Sequence, residues 1–476
     1  MPEPSARVSS EQPWVEIVPG GAVDGAIRPP GSKSLTNRAL ICAAMARGAS
    51  RLHGVLDSED TEVMVAALRS IGVKIERQES GQTLLIEPPT EAKQAGSDRG
   101  AGEAELFIAN SGTSIRFLAA ALSALGGRYR LRGVPRMHQR PIGDLVDAIG
   151  EVMEGEIRTE SEGGCPPVWI DSRGWKDHEL QVAGSVSSQF LSGLMMAALI
   201  ASSDGDSAAT CIAVVGELVS RPYVEMTARV MRSFGASVDL LAGDAASGES
   251  LSVIVGSDPY RGTDYTIEPD ASAASYFWAA AAISGGTVKV NGLTHGALQG
   301  DVGFCDVLER MGCEVDENDT GLTVTGGKLR GVDVDMNQIS DTVQTLSVVA
   351  LFADSPTRVR GVAHNRFKET DRIGDLACEL RKLGATIDEH EDGLTIHPPG
   401  ESLHGATLET YHDHRMAMSL ALAGLRVPGV RIRDPACTSK TYPEFFADLE
   451  QITQRPHRWS GPRDQHPDAS DQTSSG

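Results

Sequence analysis

Apolar and polar positions along this chain fall into a pattern that recurs six times. Each copy opens with a run rich in Ala, Leu and Met, then passes a glycine into a short β-like run ending in glycine or proline. A polar loop and a second helical stretch follow, closed by Gly-x-x-[Ile/Val]. The copies begin near Arg38, Ile115, Ser188, Ala274, Val343 and Arg415. Apolar runs of this length predict helices, and the β-branched runs between turn residues predict strands. The closing pieces LRSIGVKIE, VMRSFGASVDL, LERMGCEVDE and LRKLGATIDE each read as a helix, a glycine C-cap and a strand. The copies are spaced by about 70 to 86 residues, whereas solenoid units repeat every ~20 to 50. Each copy is therefore nearly a small αβ domain, and six of them fit an α/β protein of two domains with three copies each.

Length and composition agree with that division. A chain of 476 residues that is 40% apolar can fill two or three ordinary cores. No run approaches the ~20 apolar residues of a membrane span, so a soluble protein is expected. Residues 1–13 lack both the apolar core of a secretory signal and the Arg-rich character of a transit peptide, and read as a loose tail. Residues 454–476 have the Pro, Ser, Asp and Gln content of disorder. Seven cysteines without a C-x-x-C pair suit a reducing, cytoplasmic setting and argue against structural zinc. A formal charge of −22 disfavours nucleic acid and anionic membranes as partners.

Against that acidic background, local basic clusters stand out. RPPGSKSLTNRAL carries three cations and no acid into an Ala/Leu helix, with Ser34, Thr36 and Asn37 as capping types. Lys33 and Ser34 are thereby placed at a helix N-terminus, where free N–H groups and the dipole favour an anion. A Walker loop needs Gly directly before the Lys, and Ser32 stands there. NSGTSIRFLAAAL opens the second copy alike, with Asn110, a Gly112 that lets a ligand approach the backbone, and Thr113 or Ser114 to cap. In RYRLRGVPRMHQRPIGDLV, Arg128, Arg130 and Arg132 alternate like a solvated strand face, while Arg136 is a stronger loop candidate than Arg140. The third copy offers Ser187, Ser188 and Gln189 at a helix start and Ser220 and Tyr223 after its strand. Asp270 reads as the fourth copy's cap.

The fifth copy is the richest. Asp341 stands at its first helix start, and Lys368, Glu369 and Arg372 sit after its strand, with Lys368 and Arg372 four residues apart as on one helical face. The sixth supplies His414 and Arg415 at a helix start and Lys440 in a loop. His412, Asp413 and His414 are consecutive and rarely converge on one ion, so no metal is expected. Lys33, Arg38, Arg136, Lys368, Arg372, Arg415 and Lys440 give seven cations at equivalent places in the copies. A phosphate monoester carries about −1.5 to −2, so two phosphates and two carboxylates bring roughly −5 to −6. Two small polyanions held side by side would match those cations, with Asp341 and Glu369 as proton carriers kept ionised among them.

PGSKSLTNRAL, NSGTSIR, VPRMHQRPIGDLVDAI, GSVSSQFL, LVSRPY, DASAASYF, FKETDR, YHDHRMAM and CTSKTYP occur in this order. Over about residues 14 to 450 the chain thus resembles the enolpyruvyl transferases, and within them the branch acting on shikimate 3-phosphate. The resemblance implies an inside-out α/β barrel of two domains, each with three βαβαββ units. The first domain would comprise 14–31 plus 269–453 and the second 32–268. The implied reaction moves the enolpyruvyl group of phosphoenolpyruvate to the 5-hydroxyl of shikimate 3-phosphate, releasing phosphate, without metal or organic cofactor. By motif match, shikimate 3-phosphate would meet Lys33, Ser34, Arg38, Ser187, Ser188, Gln189, Ser220, Tyr223, Asp341, His364 and Lys368. His364 stands where many members have Asn. Phosphoenolpyruvate would meet Lys33, Asn110, Gly112, Arg136, Gln189, Arg372, His414, Arg415 and Lys440. Asp341 is implied as base toward the hydroxyl and Glu369 as the group serving C3, with Lys33 stabilising charge. A monomer in the cytoplasm and glyphosate sensitivity at Gly112 are further implications. The sister branch acting on UDP-N-acetylglucosamine carries Lys-Asn at the Lys33-Ser34 position and a cysteine in the loop that reads VPRMHQRP here. A non-catalytic phosphate-ligand sensor would be expected to lack one of the matched cations or carboxylates.

Overall fold

The computed structural model describes residues 12–78, 81–89, 104–184, 187–201, 208–243, 248–398 and 403–460. Its unit is visible in the strands Ala104–Phe107, Gly127–Arg132, Met153–Ser161 and Cys165–Trp175, with helices Gly112–Leu125 and Gly143–Val152 between the first three. The first two strands pair in parallel, and the last inserts antiparallel between the second and third. Parallel strands require a crossover, and here the crossover is the Ala/Leu-rich helix that the apolar pattern predicts. Six four-stranded sheets share this order among the described residues.

Helices form the interior and sheets the outside. The Ala271–Ser284 helix holds seven Ala, three aromatic residues and one Ile beside three small Ser, and every residue from Ala271 to Ile283 is buried. A helix apolar on all sides has to be surrounded by protein. It packs against Val343–Ala350, which in turn packs against His414–Ala421. Gly112–Leu125 likewise packs against Lys33–Ala44 and Ser188–Ala201. One apolar core gathers residues between Leu35 and Ile267, and the other joins Val15 to Val23 with Ala271 to Ile452.

The two halves exchange their first strands. Gly25–Ile27 pairs with Thr287–Asn291 and then leads into the Lys33–Ala44 helix; Asp264–Thr266 pairs with Ser50–His53 and then leads into Ala271–Ser284. The two links touch where they cross, through Ser32 N–H to Glu268 O at 2.8 Å and Asp270 N–H to Pro30 O at 2.8 Å. Gly31 sits in that crossing, and a Cβ there would run into the Gly54 carbonyl.

One tail expectation needs correction. Within the stretch 454–476 read as disordered, Arg458–Ser460 is a strand paired antiparallel with Trp14–Glu16. Trp459 meets Phe446 edge-on at 5.6 Å between centroids, and Arg458 pairs with Glu16 at 2.9 Å. Trp and Arg here complete a sheet, so local composition gave way to pairing. Residues 1–11 and 461–476 lie outside the described residues.

Candidate active site

The N-termini of the inner helices meet in one cleft between the two halves. Ser32 caps Lys33–Ala44 by accepting from Leu35 N–H, and Ser111 caps Gly112–Leu125 by accepting from Ser114 N–H. These caps lie two to five residues ahead of the capping residues the sequence suggested, so Lys33 and Gly112 are the first helical residues. Asp270 does cap its helix, accepting from Ala273 N–H, and its other oxygen accepts from Lys33 N–H at 3.2 Å. His414 and Arg415 begin a helix capped by Asp413. Several positive dipole ends therefore face one small volume.

That volume is a cavity of about 20 Å3, lined by Lys33, Asp60, Gly112, Thr113, Arg140, Gln189, Asp341, Lys368, Glu369, Arg372 and Arg415. Larger grooves exist elsewhere, but among the described residues those around Tyr260, Asn337 and Tyr442 gather fewer charged side chains. Arg372 organises the centre. Its Nε and Nη2 bind Asp413 at 2.7 and 3.2 Å, Nη2 lies 2.8 Å from Glu369, and Nη1 lies 3.4 Å from Asp341. Arg415 holds Asp341 Oδ2 at 2.7 Å. Lys440 reaches Glu369 at 3.3 Å and donates to the Asn110 carbonyl at 2.8 Å, joining the two halves.

The charges fix the protonation states. Burial pushes Asp341 upward, but Arg415, Lys368, Arg372 and Lys33 outweigh it and hold the carboxyl well below the usual range. Glu369 is likewise opposed by burial yet held well below its ordinary value by Arg372, Lys440 and Arg140. Burial lowers Lys368 to about 8, partly countered by Asp341. Burial and then Lys368 depress His364 to about 3, and burial and then Lys33 depress His414 well below its ordinary value. Both imidazoles are thus neutral near pH 7 and add no charge.

Of the residues anticipated from sequence, Lys33, Gly112, Gln189, Asp341, Lys368, Glu369, Arg372 and Arg415 line the cavity directly. Asn110 and Lys440 are joined to it through the contact above. Ser220 Oγ lies 3.4 Å from His364 Nε2 and 3.3 Å from Ser340 Oγ, forming a second bridge between the halves. Tyr223 OH points to Asp301 at 2.8 Å, with Asp341 at 3.3 Å. Ser187 Oγ accepts from Gln189 N–H, while Ser188 starts its helix and is buried. Ser34 offers its carbonyl to Arg38. His414 is buried, and neither ring nitrogen has a hydrogen-bond partner.

Three expectations change. Arg38 does not line the cavity: its donors go to Thr227, Ser192, Ser34 O and Tyr223 O, and it stacks over Phe117 at 5.1 Å. Arg136 also lies outside, bound to the Glu369 and Lys368 carbonyls at 3.0 Å each, so it clasps the loop that carries the chemistry. Arg140 takes the cavity position instead, with its guanidinium against Gly112 and 3.8 Å from Glu369. Finally, Lys368 and Arg372 do not share a helical face. The helix begins only at Gly374, and the segment before it is a loop that turns both side chains inward.

Asp60, Thr113 and Arg116 were not singled out as site residues from sequence. Asp60 lies 3.5 Å from Lys33 and 3.8 Å from Lys440, yet in DSEDTE it looks like an ordinary acidic first turn. Arg116 donates to Gln189 Oε1 at 2.7 Å, and Gln189 donates to Thr113. The available signal was its place one turn inside an otherwise apolar helix.

Fold and site together describe a two-lobed transferase for small anions, and solved structures agree. The chain is similar to an EPSP synthase from Acinetobacter baumannii, with a TM-score of 0.75 at 26% identity, covering 95% of this chain and 100% of that one. The enolpyruvyl transferase NikO from Streptomyces tendae shares the fold at a TM-score of 0.70 and 22% identity, again over 95% and 100% of the two chains. The model of the family described as EPSP synthase (3-phosphoshikimate 1-carboxyvinyltransferase) matches residues 17–449. Relatives carrying the name 3-phosphoshikimate 1-carboxyvinyltransferase include one from Nostoc punctiforme, 42% identical over 91% of this chain and 97% of its own. Another, from Sulfurovum sp., is 43% identical over 92% of this chain and 99% of its own. The chain belongs to the EPSP synthase family, transferases of the shikimate pathway that use phosphoenolpyruvate and shikimate 3-phosphate.

Proposed function

We propose that this cleft carries the enolpyruvyl transfer, with Asp341 and Glu369 as its two proton carriers. The observation that carries the assignment is their common partner: buried Glu369 and partly buried Asp341 both lie against the Arg372 guanidinium. The acceptor hydroxyl attacks C2 of phosphoenolpyruvate while its proton passes to Asp341, and C3 gains a proton from Glu369. The tetrahedral adduct then expels phosphate, which carries off the proton that Asp341 took from the hydroxyl, and C3 returns its proton to Glu369. Glu369 begins ionised because Arg372, Lys440 and Arg140 surround it. The carboxylate and phosphate of phosphoenolpyruvate would compete for those cations and raise the Glu369 pKa, so that Glu369 takes up a proton from solvent on binding and holds it for delivery to C3.

Phosphoenolpyruvate would be held by Lys33, Gly112, Arg140, Gln189, Arg372, Arg415 and Lys440, with Arg140 in the role first expected of Arg136. Shikimate 3-phosphate would use Ser34, Ser187, Ser188, Gln189, Ser220 and Tyr223, with Lys368 and His364 toward its ring. The chain would work as two domains, 14–31 plus 269–453 and 32–268, hinged at the crossed links and closing to exclude water. A cytoplasmic monomer suits the reading, and among the described residues no helix is long and apolar enough to cross a membrane.

Phosphate release from phosphoenolpyruvate tests the assignment, with shikimate 3-phosphate and UDP-N-acetylglucosamine offered separately. Release only with the shikimate ester is expected. Release only with the nucleotide sugar would transfer the site to the sister reaction, and silence with both would favour a sensor.

A further inference from the structure

Asp301 is the buried carboxylate for which the mechanism above has no use. It is 3% exposed, and among the described residues no Lys or Arg nitrogen forms an ion pair with it. Its Oδ2 accepts from Ser272 at 2.8 Å and from Tyr223 OH at 2.8 Å, while Oδ1 has no hydrogen-bond partner. The same Tyr223 oxygen lies 3.3 Å from Asp341 Oδ2. One phenol thus bridges two carboxylates that differ in surroundings: Asp341 is ion-paired with Arg415 and Arg372, whereas Asp301 feels Arg415 without pairing to it.

We propose that Asp301 is a proton-storing positioning residue for the transfer, acting on Asp341 through the Tyr223 hydroxyl. This rests on the assignment of Asp341 as the base. When the acceptor hydroxyl gives its proton to Asp341, the Asp341 O–H donates to the phenol oxygen. The phenol's own O–H passes to Asp301 Oδ2. One O–H bond forms as each one breaks, Tyr223 ends neutral, and Asp341 is again a carboxylate beside Arg415. The proton returns by the same path and leaves on the expelled phosphate. The direction follows from the environment: burial and then Asp341 raise Asp301 to about 6, whereas Asp341 itself is held far below. The charged and titratable groups acting on Asp301 are Asp341, Arg415 and Tyr223, and the phenol is raised well above its ordinary value by burial and then Asp301. A phenol so hard to ionise relays a proton by accepting one as it gives one.

The test is kcat against pH from 5 to 9 for the wild-type chain, Asp301→Asn and Tyr223→Phe, with shikimate 3-phosphate as acceptor. Below about pH 6 Asp301 is already protonated and cannot accept. Wild-type kcat should therefore fall as pH drops through that value. Both variants should lose this limb and run on the order of 10-fold slower at pH 8, less than the 10²–10⁴ of a direct acid or base. For Asp301→Asn the acceptor KM should stay within about 3-fold, since Asp301 makes no contact with substrate; Tyr223→Phe, which also removes a contact to shikimate 3-phosphate, is read by its acid limb alone. Asp301→Glu should restore the limb. An acid limb that persists in either variant, or a KM rise with unchanged kcat in Asp301→Asn, overturns the proposal. If Asp301→Asn does not fold, Tyr223→Phe decides alone. Wild-type inactivity with shikimate 3-phosphate would instead sink the functional assignment.

Discussion

Asp341, Glu369 and Arg372 were legible in the sequence because acids placed among cations are rare in so acidic a chain. Removing the Asp341 carboxyl should cost turnover about 10²-fold or more, read as kcat for Asp341→Ala; near-normal kcat would remove it from the mechanism. Lys368 sets a second pH limit. Its ammonium is present below about 8 and is lost as pH rises through that value, so activity should decline there. The cost of burying the charged form is relieved over the same rise, so the decline reflects chemistry and not unfolding. Lys368→Arg should move the limb to higher pH if the charge alone is needed. The choice between Arg136 and Arg140 was not legible, since both flank one loop four residues apart and only the fold turns Arg140 inward. A methyl on Gly112 would lie 2.8 Å from Arg140 Cζ and 2.9 Å from Arg116 Nη1. Gly112→Ala should therefore displace the Arg140 guanidinium and raise the glyphosate inhibition constant together with the phosphoenolpyruvate KM. Unchanged constants would contradict the contact.

At the scale of elements, the inner helices were readable from their unbroken apolar runs, and Lys33, Gly112, Gln189 and Arg415 at their starts line the cavity. What sequence could not place were the caps of the first two inner helices, unlike Asp270, because Ser, Thr and Asn occur at several nearby positions and the choice depends on where the incoming strand ends. Ser111→Ala tests the observed cap and should cost about 1 kcal/mol, measured by denaturant unfolding. The exchanged strands were equally hidden: Gly25–Ile27 and Asp264–Thr266 are three residues each, too short for a pattern. Gly31, at their crossing, has no room for a side chain against the Gly54 carbonyl. Gly31→Ala should lower Tm and impair turnover together, whereas a neutral result would show that the links separate freely there.

For the whole molecule, the sixfold repeat announced two halves of three units, but not the way the C-terminal segment completes a sheet. Residues 455–460 cover one side of Trp14–Glu16, so truncation after Gln454 should lower Tm by several degrees, whereas loss of a true tail would leave it unchanged. The acidic surface leaves the cleft as a local well of positive charge, joined across the halves by Lys440 and by Arg136. Arg136→Ala should weaken closure and raise the KM of both substrates, unlike Arg140→Ala, which should act mainly on phosphoenolpyruvate. The central claim is that two carboxylates sharing Arg372 move protons at the hydroxyl and at C3. It is tested most directly by running the reaction in deuterium oxide and following C3 of phosphoenolpyruvate and product by NMR. Deuterium should enter C3 with the wild-type chain and be strongly reduced with Glu369→Gln. Phosphate release without deuterium at C3, or equal labelling by the variant, would contradict it.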